Sequence, residues 1–363
     1  MEKLFYLFAL VFVVACSTSK QSQLTEVSIV GEQFLINGTP TYQGRTWNGY
    51  KIEGLLMNSR MVQGIFDDMN PKTVELFKYP DTQEWDAERN TKEFIKAMDS
   101  WKEHGMLAFT LNLQGGSPFG YGYKPVQNTA FDIDGSLRPA YMERLKRILD
   151  AANERQMVVI LGYFYFQQDE VLKDVNAVYT ATDTISKWLL ENNYRNVLVE
   201  VANECDLTHY NHSILLRPHI HKLIKRIQDI RVNGRRLLVG TSFSGGTLPT
   251  DSIVEVSDFI LLHGNGVEQP VYIAQMVETT RDMMKSGKKP IIFNEDDHYA
   301  FEKDSCNLTM AVASYASWGF FDYRRKGEGY NEGYQSVPVD WRISSERKKN
   351  FFNKIKEITG GIN

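Results

Sequence analysis

The sequence has no block of basic residues, few cysteines, no glycine-rich nucleotide loop and no apolar run long enough to stay in a bilayer. Across 363 residues the formal charge is only −4, so a polyanionic nucleic acid is not an expected partner. The three cysteines, Cys16, Cys205 and Cys306, are too few for a disulfide scaffold. Cys205 and Cys306 are expected as two separate buried thiols, a pair being open only if the fold brings them together. The segment after the first expected strand, GRTWNG, is not a G-x-G-x-x-G loop, which argues against an open doubly wound sheet around a dinucleotide. The longest apolar run, Leu4 to Ala15, is too short for a permanent membrane helix.

That run follows Lys3 and ends in Val13-Val14-Ala15-Cys16, which resembles a bacterial lipoprotein signal. The resemblance implies removal of residues 1–15, lipid attachment at Cys16, and a polar tether over 16–26. Ser17 after the cysteine does not resemble an inner-membrane retention signal. The implied location is therefore the cell envelope of a Gram-negative cell, on the outer membrane. The alternative is an ordinary cleaved secretory signal.

Two stretches organise the remaining residues, 27–363. They are NVLVEVANECD, from Asn196 to Asp206, and KKPIIFNEDDH, from Lys288 to His298. Each is an apolar, β-rich run that breaks off into Asn-Glu, as a buried parallel strand does where it meets a working face. Asn-Glu also occurs at Asn153-Glu154, in a helical stretch, and at Asn331-Glu332, in a glycine-rich loop. Strand context therefore selects Glu204 and Glu295.

The other segments alternate in the same way. FLINGTP predicts a hairpin turning at Asn37-Gly38, and Thr41 to Trp47 is read as the first strand, ending in Arg45 and Trp47. A long segment without period, Asn48 to Trp85, reads as a functional loop. Strands are expected at Met106–Leu113, Met157–Phe166, up to Glu204, Arg236–Thr241, Asp258–Leu262, Lys289–Phe293 and Trp318–Tyr323. Helical periods fall between them, among others at Pro139–Arg155, Ala181–Asn192, Ile214–Arg231 and Ile273–Ser286. Eight short apolar strands interleaved with helices, with no linker, predict a single (β/α)8 TIM barrel carrying an N-terminal β-hairpin.

In such a barrel the chemistry sits at the carboxyl ends of the strands. The expected ends offer Arg45, Trp47, Asn112, Tyr163, Tyr165, Asn203, Glu204, His263, Asn294, Glu295 and Trp318. Phe119, Tyr121 and Tyr123 add flat apolar surfaces in the loop after strand two. Aromatic faces, amides and two carboxylates without a lysine suit a carbohydrate better than a phosphate. The histidines His209, His212, His219 and His221 do not have the spacing of a known ligand set, so no metal and no cofactor is expected.

A glutamate after asparagine at the end of strand four, with a second at the end of strand seven, resembles glycoside hydrolase clan A, the retaining barrel enzymes that include family 5. The resemblance extends to Glu200, His263 and Trp318. It implies Glu204 as acid/base, Glu295 as nucleophile and Asn203 as a ligand of the sugar 2-hydroxyl. Retaining cleavage needs two carboxyl groups about 5–5.5 Å apart, one protonated and one ionised. Arg45 is expected to hold a nearby carboxylate in its charged form. Three departures stand out. Cys205 replaces a common proline, Asn265 replaces a tyrosine that would bond the nucleophile, and no histidine lies on strand three. Beside the glycosidase stand two alternatives: a non-catalytic glycan-binding surface lipoprotein on a barrel scaffold, and a metal-dependent barrel hydrolase.

Overall fold

The computed structural model describes residues 24–115 and 125–362. The signal and Cys16, most of the tether, and the loop aromatics Phe119, Tyr121 and Tyr123 lie outside the described residues. Thr25 and Glu26, expected in the tether, belong to the folded body. Thr25 donates its backbone N–H to Asn153 Oδ1 at 2.7 Å, and Glu26 bridges Arg195.

The chain enters through a three-stranded antiparallel sheet, β1 (Val27–Val30), β2 (Gln33–Ile36) and β3 (Thr39–Pro40). Asn37 and Gly38 both take positive φ, 53° and 78°, as a two-residue hairpin turn requires. Phe34 from β2 is fully buried in a cluster with Leu107, Leu198, Leu261 and Ile292, and meets Phe259 edge-on at 6.5 Å. These partners sit at the amino ends of barrel strands, so the hairpin floors the barrel.

The next segment corrects the sequence reading. Thr41–Trp47 is not a barrel strand. It leads into a small hairpin, β4 (Thr46–Trp47) with β5 (Tyr50–Lys51), at the floor. The first barrel strand is β6 (Asn58–Arg60), inside the segment read as a loop. The rest of the ring is β7 (Ala108–Asn112), β8 (Val158–Phe164), β9 (Val197–Ala202), β10 (Leu238–Gly240), β11 (Ile260–His263), β12 (Ile291–Glu295) and β13 (Gly319–Phe321). Six of these form a continuous parallel sheet in the order β10-β9-β8-β7-β6-β13, and β11 pairs with β12. Phe293 and Ser317 exchange contacts across β12 and β13, with Phe293 N to Ser317 O at 2.9 Å. At the other seam Asp258 binds Val239 twice, through its own N–H to Val239 O and from Val239 N to Asp258 Oδ2, each at 2.9 Å.

Among the described residues one helix follows each barrel strand. They are α1 (Ala87–Glu103), α2 (Pro139–Glu154), α3 (Val175–Glu191), α4 (His221–Asp229), α5 (Asp251–Val256), α6 (Pro270–Asp282), α7 (Asn307–Ala313) and α8 (Glu346–Thr359). The protein is a (β/α)8 barrel. Helix α4 begins seven residues later than its apolar period, because Pro218 disfavours helix at Arg217 and removes an N–H from any continuing turn.

Side-chain direction inside the ring is fixed by two glycines. A Cβ on Gly162 would meet Asn112 Oδ1 at 2.2 Å, and one on Gly319 would meet Asn58 Oδ1 at 2.2 Å. Both positions therefore face the barrel interior, and their strand neighbours face the helices. Replacing Phe34 by Ala removes the floor and opens a cavity that the strand ends cannot collapse into. We expect a loss of about 3–5 kcal/mol in urea unfolding, with the midpoint shifted and the slope kept.

Candidate active site

The site is built on a cation. Arg60 closes β6 and is 1% exposed. Its Nε lies 2.5 Å from Glu295 Oε2, its Nη1 3.6 Å from Glu200 Oε2, and its Nη2 donates to Asn203 Oδ1 at 2.6 Å. A guanidinium carries its donors in a rigid plane, so three partners from two other strands are held in fixed relation to one another. The mutual charge stabilisation also drives the Arg60 pKa up, against the burial that would lower it.

The two strand-end glutamates meet above this cation. An oxygen of Glu204, an oxygen of Glu295 and a ring nitrogen of His263 all lie within 4.8 Å of one another. Glu204 sits just past β9 with φ of 51°, a left-handed conformation that is uncommon for a side chain of this size. Three contacts hold that turn. Glu204 N donates to Ser242 Oγ at 3.0 Å, Cys205 N to Ser242 O at 3.0 Å, and the Tyr210 hydroxyl to Asn203 O at 2.5 Å.

Glu295 reaches the same point by a different device. The parallel pairing of β11 with β12 matches Leu262 to Phe293 and then skips to His263 with Glu295. This bulge lets adjacent side chains serve two places. Asn294 donates to Glu200 Oε1 at 3.3 Å inside the barrel, while Glu295 accepts from Asn265 Nδ2 at 2.7 Å and from Arg60. The fully buried His263 lies between the acids, Nδ1 2.9 Å from Glu204 Oε1 and 3.7 Å from Glu295 Oε2. Burial pushes its pKa down, but the charge of Glu295 and the bond to Glu204 outweigh it, and the imidazole stands above the ordinary histidine range.

The remaining sequence expectations divide. Asn203, Glu204, His263 and Glu295 are brought together by the contacts above. Tyr165 stands beside them, its hydroxyl raised well above the usual tyrosine range by burial and then by the charge of Glu295. Asn112 and Asn294 lie in the barrel interior rather than at its mouth; Asn112 shares a layer with Gly162 and Glu200.

Four further expectations are corrected. Arg45 and Trp47 are at the opposite end, where Arg45 Nε donates to Ile358 O at 2.9 Å and Trp47 Nε1 to Glu357 Oε1 at 3.0 Å, at the carboxyl end of α8. Tyr163 follows the inward Gly162 and so points outward, its hydroxyl 3.2 Å from Ser186 Oγ on α3. It therefore does not share a direction with Tyr165, which lies beyond the end of β8. Trp318 precedes the inward Gly319 and is likewise turned to the helix layer, packed on Phe301 and Phe351 with Nε1 donating to Asp296 Oδ2 at 3.0 Å. It is a packing residue with no face open to a ligand.

The residues that sequence reasoning missed are Arg60, Ser242, Tyr210 and, in its actual role, Asn265. The signal for Arg60 was a charged residue within GLLMNSRMV, between two buried methionines. Cys205 and Cys306 are buried and unpaired, and burial raises the Cys205 thiol far above its reactive range.

No protein-family model matches the chain, and no curated protein sequence matches it. Solved structures do share its fold. A protein described as a glycoside hydrolase superposes with a TM-score of 0.55 at 12% identity, over 93% of this chain and 73% of that one. A glycoside hydrolase family 5 protein from Bacteroides vulgatus gives 0.53 at 13% identity, over 91% and 70%. A family 5 enzyme from Prevotella bryantii gives 0.53 at 9% identity, over 84% and 96%. What is shared at these identities is the fold: this chain adopts the barrel on which family 5 glycoside hydrolases are built.

Proposed function

We propose that the protein is a retaining glycoside hydrolase acting on an oligo- or polysaccharide, with Glu295 as nucleophile and Glu204 as acid/base. The observation that carries this reading is the closeness of two carboxylates from remote strand ends, within 4.8 Å through their nearer oxygens. That spacing suits direct attack by one carboxylate on the anomeric carbon. The wider gap of about 6.5–9.5 Å leaves room for an intervening water and suits inversion.

The surroundings divide the roles. Glu295 accepts from a full cation and from an amide, partners that complement an ionised carboxylate ready to attack. Glu204 faces His263 alone among these donors, and at 6% exposure against 2% for Glu295 it is the less enclosed of the two. His263 links the two. Its raised affinity for a proton depends on the Glu295 charge, and that charge disappears when Glu295 forms the glycosyl ester. As that charge is consumed in the attack, Glu204 gives the acid proton to the departing sugar oxygen in the same step, and the His263 Nδ1, 2.9 Å away, holds the carboxylate that results. In the second half Glu204 takes a proton from water as the ester is hydrolysed, and the starting charges return.

The same reading tethers the enzyme by Cys16 to the cell envelope. Thr25 and Glu26 are bound near the carboxyl end of α2 and the start of β9, so a tether would leave from the floor. The carboxylates would then face away from the membrane.

Three outcomes are expected. Glu295→Ala lowers kcat on a cleaved glycan by about 10³-fold or more, and azide restores turnover as a glycosyl azide; a variant that keeps its rate sinks the assignment. His263→Gln removes the imidazole that holds the Glu204 carboxyl group, so the alkaline limb of the kcat/KM profile moves while thermal stability at low pH falls. The sign follows from a folded-state pKa above the unfolded value. Histidine's contribution is full below about 6.5 and is lost as pH rises through the folded value. An unchanged profile would remove His263 from the mechanism. Finally, Cys16→Ala moves the protein from the membrane to the soluble fraction of fractionated cells, and equal partitioning of both forms would refute the anchor.

A further inference from the structure

We infer that a basic cleft formed by the segments that follow β6 and β13 receives an acidic group of the glycan, so that the substrate is an anionic polysaccharide bearing carboxylates or sulfates. This inference rests on the glycosidase reading and adds a substrate class to it.

The cleft has a volume of about 790 Å³, within the range of about 300–1,000 Å³ usual for small-molecule sites. It lies between the segment after β6 and the segment after β13. Lys78 comes from the first, and Tyr323, Arg324, Arg325, Lys326 and Tyr330 from the second. Both segments leave strand ends that serve the candidate active site. Strand β6 ends in Arg60, the partner of Glu295, and Phe321 N at the end of β13 donates to the carbonyl of Asp296, one residue past Glu295, at 2.9 Å. The two segments are also joined directly, since Val337 N donates to Gln63 Oε1 at 3.1 Å.

Its charge is one-sided. Four cations line the cleft and no carboxylate does, although the whole chain carries a net charge of −4. The nearby acids lie outside the lining: Glu328 is paired with Arg347 at 2.8 Å and accepts from Arg325 N at 2.7 Å, and Glu75, mostly in water, pairs with Lys78 at 2.7 Å, so the charge of the cleft rests mainly on Arg324, Arg325 and Lys326. Arg324 is the most telling member. Its Nη2 is bound to the Pro338 carbonyl, while its Nε is buried with no hydrogen-bond partner among the described residues. The bond to Pro338 fixes this guanidinium in the cleft wall, where its charge favours an anionic oxygen. Tyr323 and Tyr330 supply rings for stacking on a sugar, and Arg325, 5.1 Å over Tyr299, is held at the rim. Carboxylate and sulfate present the same planar or tetrahedral oxygens to these donors, so the shared feature is an anionic oxygen on a sugar chain.

The test is isothermal titration of the intact protein with oligogalacturonate, a sulfated oligosaccharide and a neutral cello-oligosaccharide of equal length, at low and at moderate salt. At least one acidic ligand should bind more tightly than the neutral one, and its affinity should fall with salt. Arg324→Gln should weaken it by about tenfold, and so should the double variant Arg325→Gln/Lys326→Gln, whose side chains are exposed and whose fold is checked by circular dichroism. The stronger of the two acidic ligands identifies the group. Equal binding of the neutral ligand, or unchanged binding in a folded double variant, overturns the inference. Binding is read without turnover, so the two readings fail separately. A protein that binds acidic glycans here and cleaves none would lose only the glycosidase assignment, and one that cleaves neutral glycans while ignoring acidic ones would lose only the cleft.

Discussion

The buried guanidinium of Arg60 is the constraint from which the arrangement at the barrel mouth follows. A cation at 1% exposure is tolerable only when its donors meet acceptors in good geometry, because water cannot solvate it. Here the acceptors are Glu295 at the end of β12, Glu200 within β9 and Asn203 just past β9. These strands stand apart from β6 in the ring, so satisfying one side chain ties together the ends of three strands that share no hydrogen-bond ladder. Loss of such a pair strands an uncompensated buried charge, at a cost of about 3–5 kcal/mol. Folding and the placement of the carboxylates are thus the same event.

From that cation an asymmetry develops between two residues that are chemically identical. Glu295 sits on the Arg60 side and is also reached by Asn265, while Glu204 sits on the far side and has His263. No sequence pattern distinguishes them, since each is a glutamate after an asparagine at the end of an apolar strand. The difference comes from which neighbours the ring delivers. His263, squeezed between both, senses the charge of each, so a change of charge on one carboxylate is felt at the other through the ring.

Much of this was legible in the chain, and the misses have identifiable causes. Strands β8 and β9 are seven and six residues long and apolar enough to mark their own ends, so Glu204 could be placed at a strand mouth. Strand β6 is three residues of Asn, Ser and Arg, fully buried yet with no apolar signature, because Asn58 and Arg60 point into the barrel interior and the Ser59 hydroxyl donates to the Phe320 carbonyl. A strand whose burial is paid for by hydrogen bonds is invisible to hydrophobic periodicity. Its absence moved the first strand to Thr41–Trp47 and gave Arg45 the role that Arg60 fills. Trp318 and Tyr163 failed for another reason. Strand parity was known in principle, but which parity faced inward depended on Asn112 and Asn58 filling the space over Gly162 and Gly319, a contact between separate strands. The bulge at Asn294 was likewise unreadable, being a mismatch in pairing and not a property of either strand.

Asn265 shows how a departure from a family pattern can preserve a contact while changing its chemistry. The resemblance placed a tyrosine there to bond the nucleophile; the shorter amide still reaches Glu295, at 2.7 Å. A phenol can give up its proton and an amide cannot, so this bond to Glu295 stays a donation whatever happens to the neighbouring charges. The amide also brings an acceptor. Its Oδ1 is buried with no partner among the described residues. The substitution therefore changes what the neighbour of Glu295 can donate and accept, while the contact itself is kept.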